Sequence, residues 1–316
     1  MRVLLIRHGE TVHNVAGVYA GVTDSALTNH GFLQANRLGV HLAVTGVKIS
    51  HIFSSDLQRA FKTAEAVRLA QLQPPVETVP LEALREQDFG FYEGKQFFER
   101  PRERNKSGKE EHQDAHRNDP GFKDVESKDS MRIRSDAFID DHLIQLLHAV
   151  PDYNTVVVVA HGIILSHLWR ALLKRFSPGR VSVSQGIETL GNGFSLEHLG
   201  GWSNTGYLDL EIKIEKDLVS SEEMPVGASA KIGIADIVVA EDLTTVKLPQ
   251  KPRPPPPIVL SKSRLSQSLN MSLVVRAVNS KQHLVNLKKT RGGIGSLEHD
   301  SKQKTVDSFF KKRRLE

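Results

Sequence analysis

The sequence predicts an α/β fold on a largely parallel sheet, and three observations carry that prediction. Short aliphatic runs alternate with helical patterns from the first residues onward. The run at 155–160, Thr-Val-Val-Val-Val-Ala, is apolar almost throughout, which marks a central strand covered on both faces. That run and the first one, residues 3–6, each end in a His-Gly pair, His8-Gly9 and His161-Gly162. In open α/β sheets ligands gather at the carboxyl ends of the strands, where the crossover helices leave a crevice.

Each element follows from local pattern. Residues 3–6 form a short buried strand that delivers Arg7 and His8 to its end, and Gly9 lets a phosphate-sized group approach the backbone. Gly17, Gly21 and Asp24 mark a loop, and Thr28 caps a helix with Ala35, Leu38 and Leu42 on one face. Residues 51–53 read as a second strand. Ser54-Ser55-Asp56 then starts a helix striped by Ala60, Ala64 and Val67, with Arg59 in its first turn. Residues 76–79 suit a third strand and lead into LREQDFGFYEGK, a loop dense in carboxylates and glycine. Residues 95–128 are nearly all polar and read as an insert or cap. After Ser130 a helix carries Ile133, Ala137, Ile144 and Leu147 as its stripe, and Leu208, Leu210 and Ile212 alternate like a last, half-buried strand.

Charge divides the chain. Residues 246–316 hold 16 Lys and Arg against 4 Asp and Glu, so this stretch is +12 and the remainder −7. Residues 232–239 suit one more strand, whereas the Pro-rich stretch 249–257 reads as a polyproline II linker. Residues 258–302 are basic, Ser-rich and poor in aromatics, so disorder is expected there. The expected organisation is a folded domain over 1–215 and a mostly disordered basic tail over 216–316.

Hydrophobic residues make up 39% of the chain and mean hydropathy is −0.30, ordinary values for a protein with a packed core. There is no cysteine, which excludes disulfide and thiolate chemistry. The chain opens inside a predicted strand, so no secretory signal is expected, and no apolar run is long enough to span a membrane.

Two imidazoles and two guanidinium groups, Arg7 and Arg59, at one sheet edge suit a dianionic phosphate, because guanidinium forks match its oxygens. A neutral imidazole between arginines keeps a lone pair for attack on phosphorus, and His8 takes that role. Protonation of the leaving oxygen needs an acid. Glu86 and Glu93 are the candidates, with Glu82 and Asp88 behind them. The scheme requires no cofactor and no metal; a zinc site from His8, His13 and His161 competes poorly with two arginines.

Four blocks, RHGET with Asn14, SSDLQRAFKTAE, LREQDFGFYEGK and VVVVAHG, together resemble the signatures of the histidine phosphatase superfamily, also called phosphoglycerate mutase-like. The resemblance covers roughly residues 1–215 and implies a three-layer α/β/α sandwich. It further implies a phosphorylated His8, a phosphate held by Arg7, Arg59 and His161 with Asn14 and Thr23 in contact, and Glu86 as proton donor. The carboxylate block is similar to the phosphatase branch, which favours hydrolysis of a small phosphorylated substrate over mutase-type phosphoryl transfer. Ile163 stands where a second glycine often follows the His-Gly pair.

The end of the chain carries a second signal. Gln303, Val306, Phe309 and Phe310 resemble the PIP box by which replication and repair proteins dock on the sliding clamp PCNA. Lys311-Lys312-Arg313-Arg314 resembles a nuclear-import signal for an import receptor. A nuclear or cytoplasmic protein is expected, with a non-catalytic adaptor that binds phosphate and docks on PCNA as the alternative to an enzyme.

Overall fold

A computed structural model describes residues 1–75, 77–97, 116–149, 151, 154–185, 187, 195–214, 271–289 and 293–300. In chain order the elements are β1 (Arg2–Arg7), α1 (Val12–Ala16), α2 (Asn29–Val44), β2 (Ile49–Ser55), α3 (Gln58–Leu69), β3 (Thr78–Leu81), α4 (Lys128–Phe138), α5 (Ile144–Ala149), β4 (Thr155–Ala160), α6 (Gly162–Leu173), β5 (Val181–Val183), β6 (Tyr207–Ile214) and β7 (Met271–Ser280). The strands make one sheet in the order β3-β2-β4-β1-β6-β7-β5. The first four in that order are parallel, β6 is antiparallel to both β1 and β7, and β5 is parallel to β7.

The apolar runs explain the layering. All six residues of β4 are buried, as a strand flanked by β1 and β2 and covered on both faces requires. Leu4, Ile6, Val157, Val159 and Ile52 form one core with Leu38 and Leu42 of α2 and Ala60, Ala64 and Val67 of α3. Strand residues alternate faces, so Val3, Leu5, Val156 and Val158, equally buried, serve the opposite layer, where α6 packs on β1 and α4 on α6. Each buried aliphatic side chain of this kind contributes about 1.5–3 kcal/mol. Helices on both faces make the three-layer α/β/α arrangement. Among the described residues no helix is long and apolar enough to cross a membrane.

Several local expectations are corrected. Ser54-Ser55-Asp56 does not start α3, because Ser54 and Ser55 still belong to β2 and the helix begins at Gln58. The capping oxygen comes from far away in sequence: Asp24 Oδ1 accepts the Gln58 N–H at 3.1 Å. The stripe proposed after Ser130 also differs. Ile133 and Ala137 face solvent, while Met131, Ser135 and Phe138 are buried and a π-helical turn, Ile139–Leu143, resets the phase so that Ile144 and Leu147 face inward. Leu208, Leu210 and Ile212 are buried as expected, but β6 is not the last strand.

The largest correction concerns the tail. Residues 271–289 and 293–300 are not disordered: β7 pairs with β6 from Tyr207↔Ser280 to Ile214↔Met271, and Leu273 and Val275 are fully buried. The folded unit therefore takes in the described residues up to 214 together with 271–289 and 293–300, so the boundary at 215 does not close it. The strand suggested at 232–239, the Pro-rich stretch 249–257, and the tail motifs at 303–310 and 311–314 lie outside the described residues. Because Leu273 is sealed in the core, Leu273→Ala should cost about 2–5 kcal/mol in urea unfolding of the full chain. A loss under 1 kcal/mol (roughly what a surface substitution costs) would detach β7 from the core.

Candidate active site at the carboxyl ends of the parallel strands

The register of β1 against β4 sets Arg7 beside Ala160, so the next residues, His8 and His161, leave the sheet as neighbours. The His8 N–H donates to the Ala160 carbonyl at 3.0 Å, and the two rings lie 5.0 Å apart, tilted by 58°. Both are buried, at 4% and 1% exposure.

Their hydrogen bonds fix opposite tautomers. His8 Nδ1 lies 2.7 Å from the Gly9 carbonyl oxygen, which only accepts, so Nδ1 carries the proton and Nε2 keeps the lone pair. His161 Nδ1 lies 3.1 Å from Arg59 Nε, which only donates, so its lone pair is at Nδ1 and Nε2 carries the hydrogen. That Nε2 is buried without a partner in the described protein. Burial first, then the charges of Arg59 and Arg7, hold the His8 imidazole well below its usual 6.5, against the Gly9 hydrogen bond. Burial, then Arg59, His8 and Arg7, do the same to His161.

Arg59 extends from the first turn of α3 and is 1% exposed. Nη1 donates to the Thr23 carbonyl at 2.9 Å, and Nη2 to those of Ala20 at 2.9 Å and Gly21 at 2.7 Å. Burial lowers its pKa to about 10, against the pull of Glu86, Asp24 and Glu93, so it remains a cation at neutral pH. Arg7 is anchored by Nη1, which donates to the Trp202 carbonyl at 2.6 Å, and its Nε is buried without a protein partner among the described residues. Gly9 N–H donates to Thr63 Oγ1 at 3.1 Å, and that hydroxyl donates to the Arg59 carbonyl, which ties the His-Gly turn to α3.

The two candidate acids separate. Glu86 reaches the N-terminus of α6: Oε2 accepts the Ile163 N–H and Oε1 the Ile164 N–H, each at 3.0 Å, and Oε1 also accepts the Gln87 N–H. It thus sits one turn from His161, within the fields of Arg7 and Arg59. Glu93 is engaged elsewhere. Its carboxylate accepts the N–H groups of Gly21, Val22, Thr23 and Phe89 at 2.9–3.1 Å, so it shapes the loop whose carbonyls hold Arg59. Glu93 therefore belongs to the frame around Arg59, and Glu86 to the turn that follows His161. Asp88 pairs with Lys123, and Glu82 lies on the rim.

Asn14 and Thr23 fall beside the site in different ways. Asn14 Oδ1 accepts from Thr11 N and from Asn204 Nδ2, and Asn204 Nδ2 also donates to the His8 carbonyl at 3.2 Å. Thr23 contributes its backbone to Glu93 and Arg59, and its side chain lies in an exposed residue. Sequence reasoning missed the 202–205 loop and Arg134. Arg134 donates to the carbonyls of Ala83, Arg85 and Glu86 and pairs with Glu126, which fixes the segment that carries Glu86. A cavity of about 350 Å³ opens beside Glu86, lined by Val22, Arg85, Asp88, Lys123 and Arg134 among others.

Comparison with known proteins identifies the family. A Schizosaccharomyces pombe protein that bears the name "Probable phosphatase" is 35% identical over 183 residues, 54% of this chain and 56% of that protein. A broad-specificity phosphatase of Saccharomyces cerevisiae is 35% identical over 108 residues, 34% of this chain and 47% of its own. The chain thus spans about half the length of these two relatives. Among solved structures, mycobacterial hydrolase 1 superposes with a TM-score of 0.50 at 24% identity, covering 68% of this chain and 91% of that one, a likeness of fold. The family model of the histidine phosphatase superfamily (branch 1) matches residues 3–183, more than half of the chain, and the chain belongs to that superfamily.

Proposed function

We propose that the chain hydrolyses phosphomonoesters through a phosphohistidine formed on His8. The observation that carries this reading is the pair of opposite tautomers: a buried lone pair on His8 Nε2 beside a buried N–H donor on His161 Nε2, with two guanidinium groups around them. Arg7 and Arg59 balance the two charges of a phosphate monoester, and the His161 N–H adds a directed donor. His8 Nε2 attacks phosphorus, the N–P bond forms as the ester P–O bond breaks, and Glu86 gives its proton to the departing oxygen. Water then attacks the phosphohistidine, Glu86 takes back a proton, and inorganic phosphate leaves. The cavity beside Glu86 accommodates the alcohol portion, and its mixed lining of Arg85, Asp88, Lys123 and Arg134 suits a polar group. Metal independence follows in this reading because the arginines supply the charge.

The tail supports a second reading, in which docking on PCNA through 303–310, with import through 311–314, brings the domain to a nuclear partner. It rests on the sequence of those residues alone.

His8→Ala should lower turnover of 4-nitrophenyl phosphate on the order of 10³-fold or more, while a chelator leaves the unmodified enzyme unchanged. Persistent activity in the variant removes the mechanism, and loss with chelator removes its metal independence. The two depressed imidazoles also give stability a direction with pH. Above about 6.5 they are neutral in both folded and unfolded chains and add no pH dependence. Below it the unfolded chain takes up protons that the fold refuses, so unfolding free energy should fall as pH falls, by up to about 1.4 kcal/mol per pH unit for each ring. Urea unfolding at pH 7.5 and 5.5 measures this, and equal stability at both would contradict the buried neutral pair. For the tail, a peptide of residues 300–316 should bind PCNA in a titration and lose at least about tenfold with Phe309→Ala/Phe310→Ala. Equal binding by both peptides makes the motif incidental.

A further inference from the structure

We propose that β7 and the turn after it position the phosphate site, with Asn279 and His283 as positioning residues; the inference rests on the reading of the site given above. Neither residue lies within the stretch that the family model matches, residues 3–183.

The connection runs through the loop 202–205. The Trp202 carbonyl accepts from Arg7 Nη1 at 2.6 Å, Asn204 Nδ2 donates to the His8 carbonyl, and Thr205 N–H donates to the carbonyls of Arg7 and His8 at 3.0 and 3.2 Å. The loop therefore sets both the aim of one guanidinium and the backbone that carries the nucleophile. Two residues of the C-terminal segment hold that loop in turn. Asn279 Oδ1 accepts the Ser203 N–H at 2.9 Å while its Nδ2 donates to Ser203 Oγ at 3.1 Å. His283 Nε2 meets Thr205 Oγ1 at 2.8 Å. That hydroxyl lies 2.7 Å from the Asn204 carbonyl and gives its hydrogen there, so His283 Nε2 carries the proton and donates.

The fit is close and conformationally demanding. Thr205 and Asn279 both hold positive φ, 55° and 45°, a conformation that costs about 1–3 kcal/mol unless the surroundings over-determine it. A Cβ on Gly206 would stand 2.1 Å from Asn279 Oδ1, so the carboxamide reaches Ser203 only because residue 206 has no side chain. Lys289 Nζ, 2.8 Å from Glu10 Oε1, adds a half-exposed tether two residues past His8. An extra strand packed for stability alone needs the buried Leu273 and Val275, and does not need two polar side chains converging on the loop that holds Arg7.

The test uses the full-length chain and compares Asn279→Ala with Asn279→Asp, which keeps the acceptor for Ser203 N–H. Melting temperature, kcat and KM for 4-nitrophenyl phosphate, and the inhibition constant of orthovanadate are measured for each. Asn279→Ala should raise both the vanadate constant and KM by about tenfold, because a small displacement of Arg7 weakens every oxyanion contact. Asn279→Asp should bring both back to within about twofold, since its carboxylate oxygen still accepts the Ser203 N–H. Should the alanine variant not fold, His283→Phe takes its place, because the ring retains its packing near Tyr207 and His41 and loses only the bond to Thr205. A folded variant with unchanged vanadate affinity overturns the inference, as does an aspartate that fails to restore it. Turnover by His8→Ala would instead strike the hydrolase reading, so the two failures are distinguishable.

Discussion

A guanidinium sealed inside a protein must find acceptors, and Arg59 finds four: the carbonyls of Ala20, Gly21 and Thr23 and the lone pair of His161 Nδ1. Uncompensated, such a buried cation costs several kcal/mol, on the order of 3–5 when one partner is removed. That cost binds three regions together. The loop before α2 must present its carbonyls, α3 must begin where Asp24 caps it, and β4 must deliver His161 with its lone pair toward the helix. Glu93 completes the frame from outside by collecting the N–H groups of the same loop. One polypeptide turn is thus gripped on its carbonyl side by a cation and on its amide side by an anion.

The same arrangement decides the proton positions. Arg59 donates to one imidazole and a peptide carbonyl accepts from the other, so two chemically identical rings 5.0 Å apart emerge with complementary faces. Burial keeps both uncharged, and the charge in the centre resides in Arg7 and Arg59, where a dianion would need it. Glu86, held by two N–H groups of the first turn of α6, lines the cavity that opens beside it.

What could be read from the residues was what local pattern controls. The unbroken valines of β4, the two His-Gly pairs and Arg59 in a first helical turn each announce their place without knowledge of the partner. The failures share a cause as well. β7 reads as Met-Ser-Leu-Val-Val-Arg within a basic, Ser-rich stretch, and only its long-range pairing with β6 makes Leu273 and Val275 core residues. Glu86 and Glu93 lie seven residues apart in one acidic loop, and nothing in their spacing tells which faces α6 and which the Gly21 loop. Ile133 and Ala137 fit a helical stripe that the π turn at 139–143 breaks, and Asp24 caps a helix that starts 34 positions later. Asn279 and His283 act on the centre through a loop distant in sequence, so no motif could mark them.

The ends of the sheet bear on how this fold survives in a crowded solution. An outermost strand exposes unpaired backbone groups to which another chain can add, the usual beginning of intermolecular β-aggregation. Among the described residues one border is β3, four residues long with Pro80 opposite Ser54, and the other is β5, only three residues long. Proline withholds an amide hydrogen and three residues give little template, so neither border strand offers another chain a long ladder to extend.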